Sequence, residues 1–214
     1  MVYPIGKWIV PPIYKLWLRK VHGMESVPKD KPFIIAANHT SYYETVLLPC
    51  IIIPKIDKKI HGLANSRYWE NFMARIILNW GESIPVYVGK DKNPMGNKIA
   101  FNRALEYLKN GEIIMMFPEG TRSPDGKLKN GHTGAARLAL KAKAPVLPIG
   151  IIDAYKVLPR GKIFPRFKKC EVKIGKLMNF DEYYNKSINK RLLENITRRI
   201  MKEIGKLSNQ EYNY

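Results

Sequence analysis

Four histidines are present in this chain, and imidazole is the side chain whose ordinary pKa lets it exchange a proton near neutral pH. One of them, His39, has the surroundings of a general base. The apolar run Phe33-Ile34-Ile35-Ala36-Ala37 stops just before it, in Asn38-His39-Thr40-Ser41-Tyr42-Tyr43-Glu44. That places the imidazole on the loop between a strand and the next helix, where ligand and reaction sites of α/β sheets collect. Glu44 can turn back to accept the other ring N–H, fixing the tautomer and stabilising the imidazolium formed when His39 takes a proton. The same stretch also spells a capping box from Ser41 to Glu44, in which Glu44 only satisfies a backbone amide at the helix start. Spacing does not separate these two roles. His22, beside Gly23 in a basic segment, and His61, inside an apolar run, read as structural, while His132 after Gly131 reads as a solvated loop residue.

A second constellation follows the run Ile113-Ile114-Met115-Met116-Phe117: Pro118-Glu119-Gly120-Thr121-Arg122-Ser123-Pro124-Asp125-Gly126. A turn at a strand end that carries a glycine, an arginine and hydroxyls can hold a phosphate. Gly120 lets its backbone approach closely, Arg122 offers a bidentate fork, and Thr121 and Ser123 supply hydroxyls. Each charge-assisted bond there contributes roughly 1.5 to 3 kcal/mol. A carboxylate repels phosphate, so Glu119 is assigned to orienting Arg122 or to bonding a substrate hydroxyl. Standing alone, Ser123-Pro124-Asp125-Gly126 is a turn beside a solvated arginine.

The elements that position these residues alternate. Phe33 to Ala37, Ile60 to Ala64, Ser83 to Val88, Ile113 to Phe117, Val146 to Ile152 and Cys170 to Ile174 read as strands, with helical patterns between them. The fold class expected is α/β, a central mostly parallel or mixed sheet flanked by helices. Trp69, Phe72, Met73, Ile76, Ile77 and Trp80 form a helical stripe that Ser66 could cap, favoured as packed on the sheet, with a wall for an acyl chain as the sharper alternative. Phe101, Ala104, Leu105 and Leu108 mark a helix stopped by Asn110-Gly111, another spans about Gly134 to Lys143, and Ile188, Leu192, Ile196, Ile200 and Ile204 mark a basic amphipathic terminal helix.

Residues 1–22 mix Trp8, Ile9, Val10, Ile13, Tyr14, Leu16, Trp17 and Leu18 with Lys7, Lys15, Arg19 and Lys20, a composition suited to a lipid interface, although Pro11 and Pro12 interrupt it. The organisation expected is therefore an N-terminal membrane-interface segment, 1–22, and one domain, 23–214, without repeats or linkers. No uncharged apolar run reaches the roughly 20 residues of a bilayer span, and no signal peptide is read. A length of 214 residues with 45% apolar content excludes a disordered or disulfide-built chain. Cys50 and Cys170 lack zinc or redox spacing, so no metal is expected. Lys and Arg number 37 against 18 Asp and Glu, a net +19, which calls for an anionic partner: nucleic acid, an acidic lipid surface or phosphorylated substrates. Tyr155 to Lys169 interleaves Lys156, Arg160, Lys162, Arg166, Lys168 and Lys169 with Leu158, Ile163, Phe164 and Phe167, a composition shared by interfacial and RNA-binding loops.

Taken together, the two motifs resemble those of the glycerolipid acyltransferase family, especially its 1-acyl-sn-glycerol-3-phosphate acyltransferases, whose hallmarks are N-H-x-S-x-x-D and F-P-E-G-T-R-S. The first stands here as Asn38 to Glu44 and the second is complete from Phe117 to Ser123. Val21 to Pro28, Gly81 to Val86 and Val146 to Ile149 are similar to the blocks that accompany them in that order. Two departures stand out. Glu44 replaces the family's aspartate, and Val88 stands where an arginine usually follows I-P-V and binds acceptor phosphate, leaving Lys90 and Lys92 as candidate substitutes.

The resemblance implies transfer of a fatty acyl group from acyl-coenzyme A or acyl carrier protein, used as co-substrate with no cofactor, to the sn-2 hydroxyl of lysophosphatidic acid, giving phosphatidic acid. It assigns His39 as base, Glu44 as its holder, and Arg122 with Gly120 as phosphate anchor. It further implies work at an anionic membrane surface on the cytoplasmic face, as a peripheral or monotopic protein, with no nucleic-acid partner. Acceptance of glycerol 3-phosphate or another lysophospholipid is the alternative within that class; a basic nucleic-acid-binding or lipid-binding protein without catalysis is the alternative outside it.

Overall fold

Apolar side chains on both faces of a strand require cover on both faces, and β2 (Ile34–Ala37) and β6 (Val146–Ile152) meet that condition side by side in the middle of the sheet. The computed structural model describes residues 6–214. The other strands are β1 (Leu18–His22), β3 (Ile60–Asn65), β4 (Ile84–Val86), β5 (Ile113–Met116) and β7 (Cys170–Ile174), and the seven run in the order β1-β7-β6-β2-β5-β3-β4. Neighbours from β6 to β4 pair in parallel; β7 is antiparallel to β6, and β1 is parallel to β7. The sheet is mixed and flanked by helices, as the alternating pattern predicts, and β1 adds a seventh strand to the six expected.

Strand alternation sends Phe33, Ile35 and Ala37 to one face and Ile34 and Ala36 to the other. The first face is covered by α2 (Tyr43–Ile56) through Leu47, Leu48, Ile51 and Ile52, together with the short α6 (Ala154–Val157). The second is covered by α4 (Pro94–Lys109), α5 (Gly134–Ala142) and α7 (Lys190–Leu207). On α7 the residues Leu193, Ile196, Ile200 and Ile204 are buried, which turns its cationic face outward. Cys50 and Cys170 are free and buried, and desolvation pushes their thiols up to about 11 and about 12.

Three expectations are corrected. Residues 18–22, assigned to the interface segment, are the edge strand β1, so the sheet begins inside that segment. Ahead of β1, α1 (Gly6–Lys15) runs through Pro11 and Pro12 and packs on α2, where Tyr14 and Tyr43 stack at 5.5 Å and the Tyr43 hydroxyl donates to Tyr14 O. Residues 1–5 and the Trp8 side chain, also in the expected segment, lie outside the described part. Second, α3 (Phe72–Trp80) has no buried residue: Phe72, Met73, Ile76, Ile77 and Trp80 are all at least half exposed, so its stripe is not packed on the sheet. Third, Ser66 does not cap it. Ser66–Glu70 closes as a separate 3-10 turn, and the Asn71 side chain caps α3 by accepting from Ala74 N.

Candidate active site

The two motifs leave the C-terminal ends of adjacent parallel strands, since Ala36 of β2 pairs with Met116 of β5. Such ends form the crevice in which open α/β sheets bind ligands. Asn38, the next residue but one, extends the sheet with its side chain: its Nδ2 donates to Ile151 O at 2.8 Å and its Oδ1 accepts from Ile151 N at 2.7 Å. His39 is therefore launched from a point held to β6.

The His39 main chain is held from the second motif as well. Its N–H donates to Glu119 Oε1 at 2.7 Å, and its carbonyl accepts from Ser123 N at 2.7 Å. Glu119 Oε2 accepts from Lys129 N at 2.9 Å. Both Glu119 oxygens are thus taken by backbone amides, and the residue is buried. The expectation that it orients Arg122 or meets a substrate hydroxyl is replaced by a bracing role. Burial pushes its carboxyl up to about 7, against the two amide bonds that favour its charged form.

The His39 ring stacks on Phe117 at 3.9 Å, and its Nδ1 lies 2.9 Å from Glu44 Oε2. Glu44 is completely buried and also accepts from Thr40 N and from the Thr40 hydroxyl. The two roles that spacing left open coexist in one carboxylate. It satisfies a backbone amide at the helix start, though that of Thr40 instead of Ser41, and it holds the imidazole. The glutamate's extra methylene does not prevent the pairing. With a carboxylate accepting from Nδ1–H, Nε2 keeps its lone pair, and among the described residues it has no protein partner. The ring is 13% exposed, enough to open onto the adjoining cavity.

That cavity has a volume of about 1390 Å³. Its walls are mostly apolar, from Val46 and Ile53 of α2 to Leu63 of β3 and Ile77, Leu78 and Trp80 of α3 and its end. The exposed stripe of α3 thus turns part of itself inward as wall. The charged side chains lining it are Lys92, Arg122 and Arg160, with no carboxylate among the described residues. The Arg122 guanidinium lies 3.3 Å over the Tyr42 ring, and the Tyr42 hydroxyl bonds that of Tyr68 at 2.7 Å. Burial, helped by that bond, pushes the Tyr42 hydroxyl up to about 12. Arg122 has no carboxylate partner among the described residues.

Of the other expected contacts, Gly120 and Thr121 line the cavity, and Gly120 takes the left-handed conformation at φ 68° that a side chain resists. Ser123 does not: it is buried, and its hydroxyl donates to Asp125 at 2.8 Å. Lys92 lines the wall beside Val88, whereas Lys90 is exposed and not part of it. Three lining residues escaped the sequence reading as site residues: Tyr42, Arg160 and His132, whose ring lies where a Cβ on Gly120 would reach within 3.0 Å. Tyr42 sits inside the first motif, which was the available signal; the placement of the other two depends on loop geometry. His22, 3.2 Å from Glu171, and His61, 2.8 Å from Glu112, are not in the wall. No three His, Cys, Asp or Glu side chains converge as a metal site among the described residues.

Comparison with known proteins converges on one group. The sequence model of the Acyltransferase family matches residues 18–152, more than half of the chain. A 1-acyl-sn-glycerol-3-phosphate acyltransferase of Bacillus subtilis is 29% identical over 192 residues, covering 89% of this chain and 88% of that protein. The chloroplastic 1-acyl-sn-glycerol-3-phosphate acyltransferases BAT2 of Brassica napus and LPAT1 of Arabidopsis thaliana are 27% and 28% identical, each over 72% of this chain. The chain spans 43% and 41% of the length of those two plant proteins. The crystal structure of the 1-acyl-sn-glycerophosphate (LPA) acyltransferase PlsC from Thermotoga maritima superposes with a TM-score of 0.69 over 95% of this chain and 80% of that one, at 23% identity. That likeness shows the shared fold.

Proposed function

The chain belongs to the Acyltransferase family, and we propose that it transfers a fatty acyl group from an acyl thioester to the sn-2 hydroxyl of 1-acyl-glycerol-3-phosphate, giving phosphatidic acid. One observation carries this reading. A buried carboxylate holds an imidazole whose free nitrogen opens onto a large apolar cavity, and the charged groups in the cavity wall are all cations. An acceptor with an apolar chain, a free hydroxyl and a phosphate matches those three features. The relatives' names point to the same acceptor.

In the reaction, His39 Nε2 takes the proton of the acceptor hydroxyl as its oxygen attacks the thioester carbonyl carbon. Glu44 stabilises the imidazolium through Nδ1–H. Collapse of the tetrahedral intermediate breaks the C–S bond, and the imidazolium returns its proton to the departing thiolate. No acyl-enzyme forms. Arg122, flattened against Tyr42 with its N–H edge free of carboxylates, takes the phosphate, and Lys92 stands in for the arginine that Val88 replaces. Pockets for one drug-sized ligand measure roughly 300 to 1,000 Å³; this one exceeds that range, leaving room for the acceptor's chain and the donor's. The wall from Ile77 to Trp80 packs against acyl carbons.

The donor is acyl-coenzyme A or acyl carrier protein, a co-substrate, and the reaction uses no cofactor. We place this work at the cytoplasmic face of a membrane, as a peripheral or monotopic protein; an acceptor that resides in the bilayer and the exposed Ile9, Ile13 and Leu16 on α1 and the turn after it support the membrane contact. No helix among the described residues is long and apolar enough to cross a membrane.

Purified protein given labelled acyl-coenzyme A or acyl carrier protein, with lysophosphatidic acid, glycerol 3-phosphate and lysophosphatidylcholine in parallel, tests the proposal. Phosphatidic acid is the expected product, and His39→Ala should lower kcat by about 10²- to 10⁴-fold, the usual share of base assistance. Product from another acceptor only would replace the substrate assignment; wild-type turnover by His39→Ala would end the assignment of the base.

A further inference from the structure

Between α6 and β7 the chain reads Leu158-Pro159-Arg160-Gly161-Lys162-Ile163-Phe164-Pro165-Arg166-Phe167-Lys168-Lys169. Ile163, Phe164 and Phe167 are 85%, 82% and 103% exposed. Large apolar side chains grouped in water mark a surface that something else covers. The same loop holds Arg160, Lys162, Arg166, Lys168 and Lys169 and no acidic residue. None of these cations is paired with a carboxylate among the described residues.

The backbone presents these side chains in a folded form. Lys162 N donates to Pro159 O at 3.1 Å, Arg166 N to Val157 O at 2.7 Å and Lys168 N to Arg166 O at 2.7 Å, and Gly161 supplies the left-handed turn at φ 80°. Both ends are fastened. At the root, the Ser41 hydroxyl of the first motif donates to Leu158 O at 2.7 Å, and Arg160 lines the cavity. At the far end, Lys169 Nζ donates to Leu16 O and Cys170 N to Trp17 O at 2.8 Å, so the loop abuts the end of α1 with its exposed Ile13 and Leu16.

We propose that Pro159–Lys169 is a membrane-inserting loop that seats the cavity mouth on an anionic phospholipid bilayer. Ile163, Phe164 and Phe167 enter the acyl boundary, and the surrounding cations stay at the depth of the acidic headgroups. Arg160, at the root, faces lipid phosphates entering the cavity. A single-stranded nucleic acid would engage the cations and stack on Phe164 and Phe167, but it offers Ile163 nothing, since an aliphatic side chain has no face for a base. The proposal rests on the reading of the acceptor as a membrane lipid and adds how that lipid is met.

Two variants of the full chain test it: the triple Ile163→Ser, Phe164→Ser, Phe167→Ser, and the triple Lys162→Gln, Arg166→Gln, Lys168→Gln. Vesicle flotation is measured on phosphatidylcholine alone and with phosphatidylglycerol added. Acylation is measured on long-chain lysophosphatidic acid in those vesicles and on a short-chain form dispersed as monomers. The apolar triple variant should lose about tenfold or more of its vesicle partition and of its rate on the bilayer-borne acceptor, with an unchanged rate on the monomeric one. The charge variant should lose the extra binding that phosphatidylglycerol confers and keep the binding to phosphatidylcholine. Wild-type flotation by the apolar triple variant, or an equal fall on both acceptors, would overturn the proposal, as would binding to single-stranded RNA that the charge variant abolishes while flotation stays intact. Should the wild type acylate neither acceptor, the reading of the reaction fails, and flotation still decides the loop.

Discussion

Replacing Glu119 by glutamine should remove a pH-dependent loss of stability and give a worse catalyst, and the size of the first effect follows from where the carboxyl sits. Glu119 is 3% exposed, and burial raises its pKa from 4.5 to about 7 although the amides of His39 and Lys129 both donate to it. Desolvation of the charge therefore outweighs those two bonds. The folded state keeps the proton over a window in which the unfolded chain has released it. The contribution of Glu119 to stability accordingly falls as pH rises from 4.5 to about 7 and is level above that. At about 1.36 kcal/mol per pH unit, a shift of that size amounts to roughly 3 kcal/mol. Glutamine copies the neutral acid's charge but not its second acceptor, so the variant should sit roughly 1 to 3 kcal/mol below the wild type at the acid end and gain roughly 3 kcal/mol on it by about pH 8. An amide NH₂ cannot accept, so one of the two backbone N–H groups loses its partner, the His39 main chain is held less tightly, and kcat falls. Urea titrations of both proteins between about pH 5 and pH 8.5 measure the gap. A gap that stays constant across that range would refute the reasoning, because no buried charge would then be forming in the wild type.

Glu44→Gln should lower kcat by about 10²- to 10⁴-fold, because the amide no longer fixes the imidazole's tautomer or stabilises its cation, and should also cost roughly 1 to 3 kcal/mol through the buried Thr40 N–H. Single-turnover rates and urea midpoints separate the two effects; full kcat at reduced stability would leave Glu44 only its place at the helix start. Arg122→Ala should raise KM for the phosphorylated acceptor and leave that for the thioester nearly unchanged. Tyr42→Leu keeps the Arg122 charge and removes the ring beneath it, so the same KM should rise by a smaller factor, about 2- to 30-fold for a contact of roughly 0.5 to 2 kcal/mol; equal changes for both substrates would count against a positioned guanidinium.

The strands that place the site were readable because they are buried on both faces. Val146–Ile152 stands where its apolar run begins and ends, and Cys170–Ile174, buried on one face only, stands where its apolar alternation does. The His39–Glu44 pair was readable as well, since both residues belong to one turn of chain. What escaped depends on partners remote in sequence. In β1, Leu18-Arg19-Lys20-Val21-His22 mixes apolar and cationic residues as an interface segment does, and it becomes a strand only because β7 offers an edge. The stripe of α3 announces one apolar face without saying what meets it, and the structure sets part of that face against a cavity and leaves the rest bare. Glu119 looked like a ligand for Arg122 because the two are near neighbours in sequence, yet its partner is the backbone of His39 in the other motif. Arg160 and His132 reach the cavity only through the folding of their loops.

The main-chain bonds from Glu119 and Ser123 to His39 do not pass through the imidazole, and the Asn38 ladder does not either. Removing the ring therefore leaves the scaffold of the crevice standing, so a His39→Ala protein is suited to trapping unreacted lipid and thioester together for crystallography. By the same separation, the apolar wall on α3 belongs to another segment than the bolts that aim the base, whereas Arg122 sits between two of them. Chain-length preference can be re-engineered in α3 while the proton-transfer machinery keeps its aim.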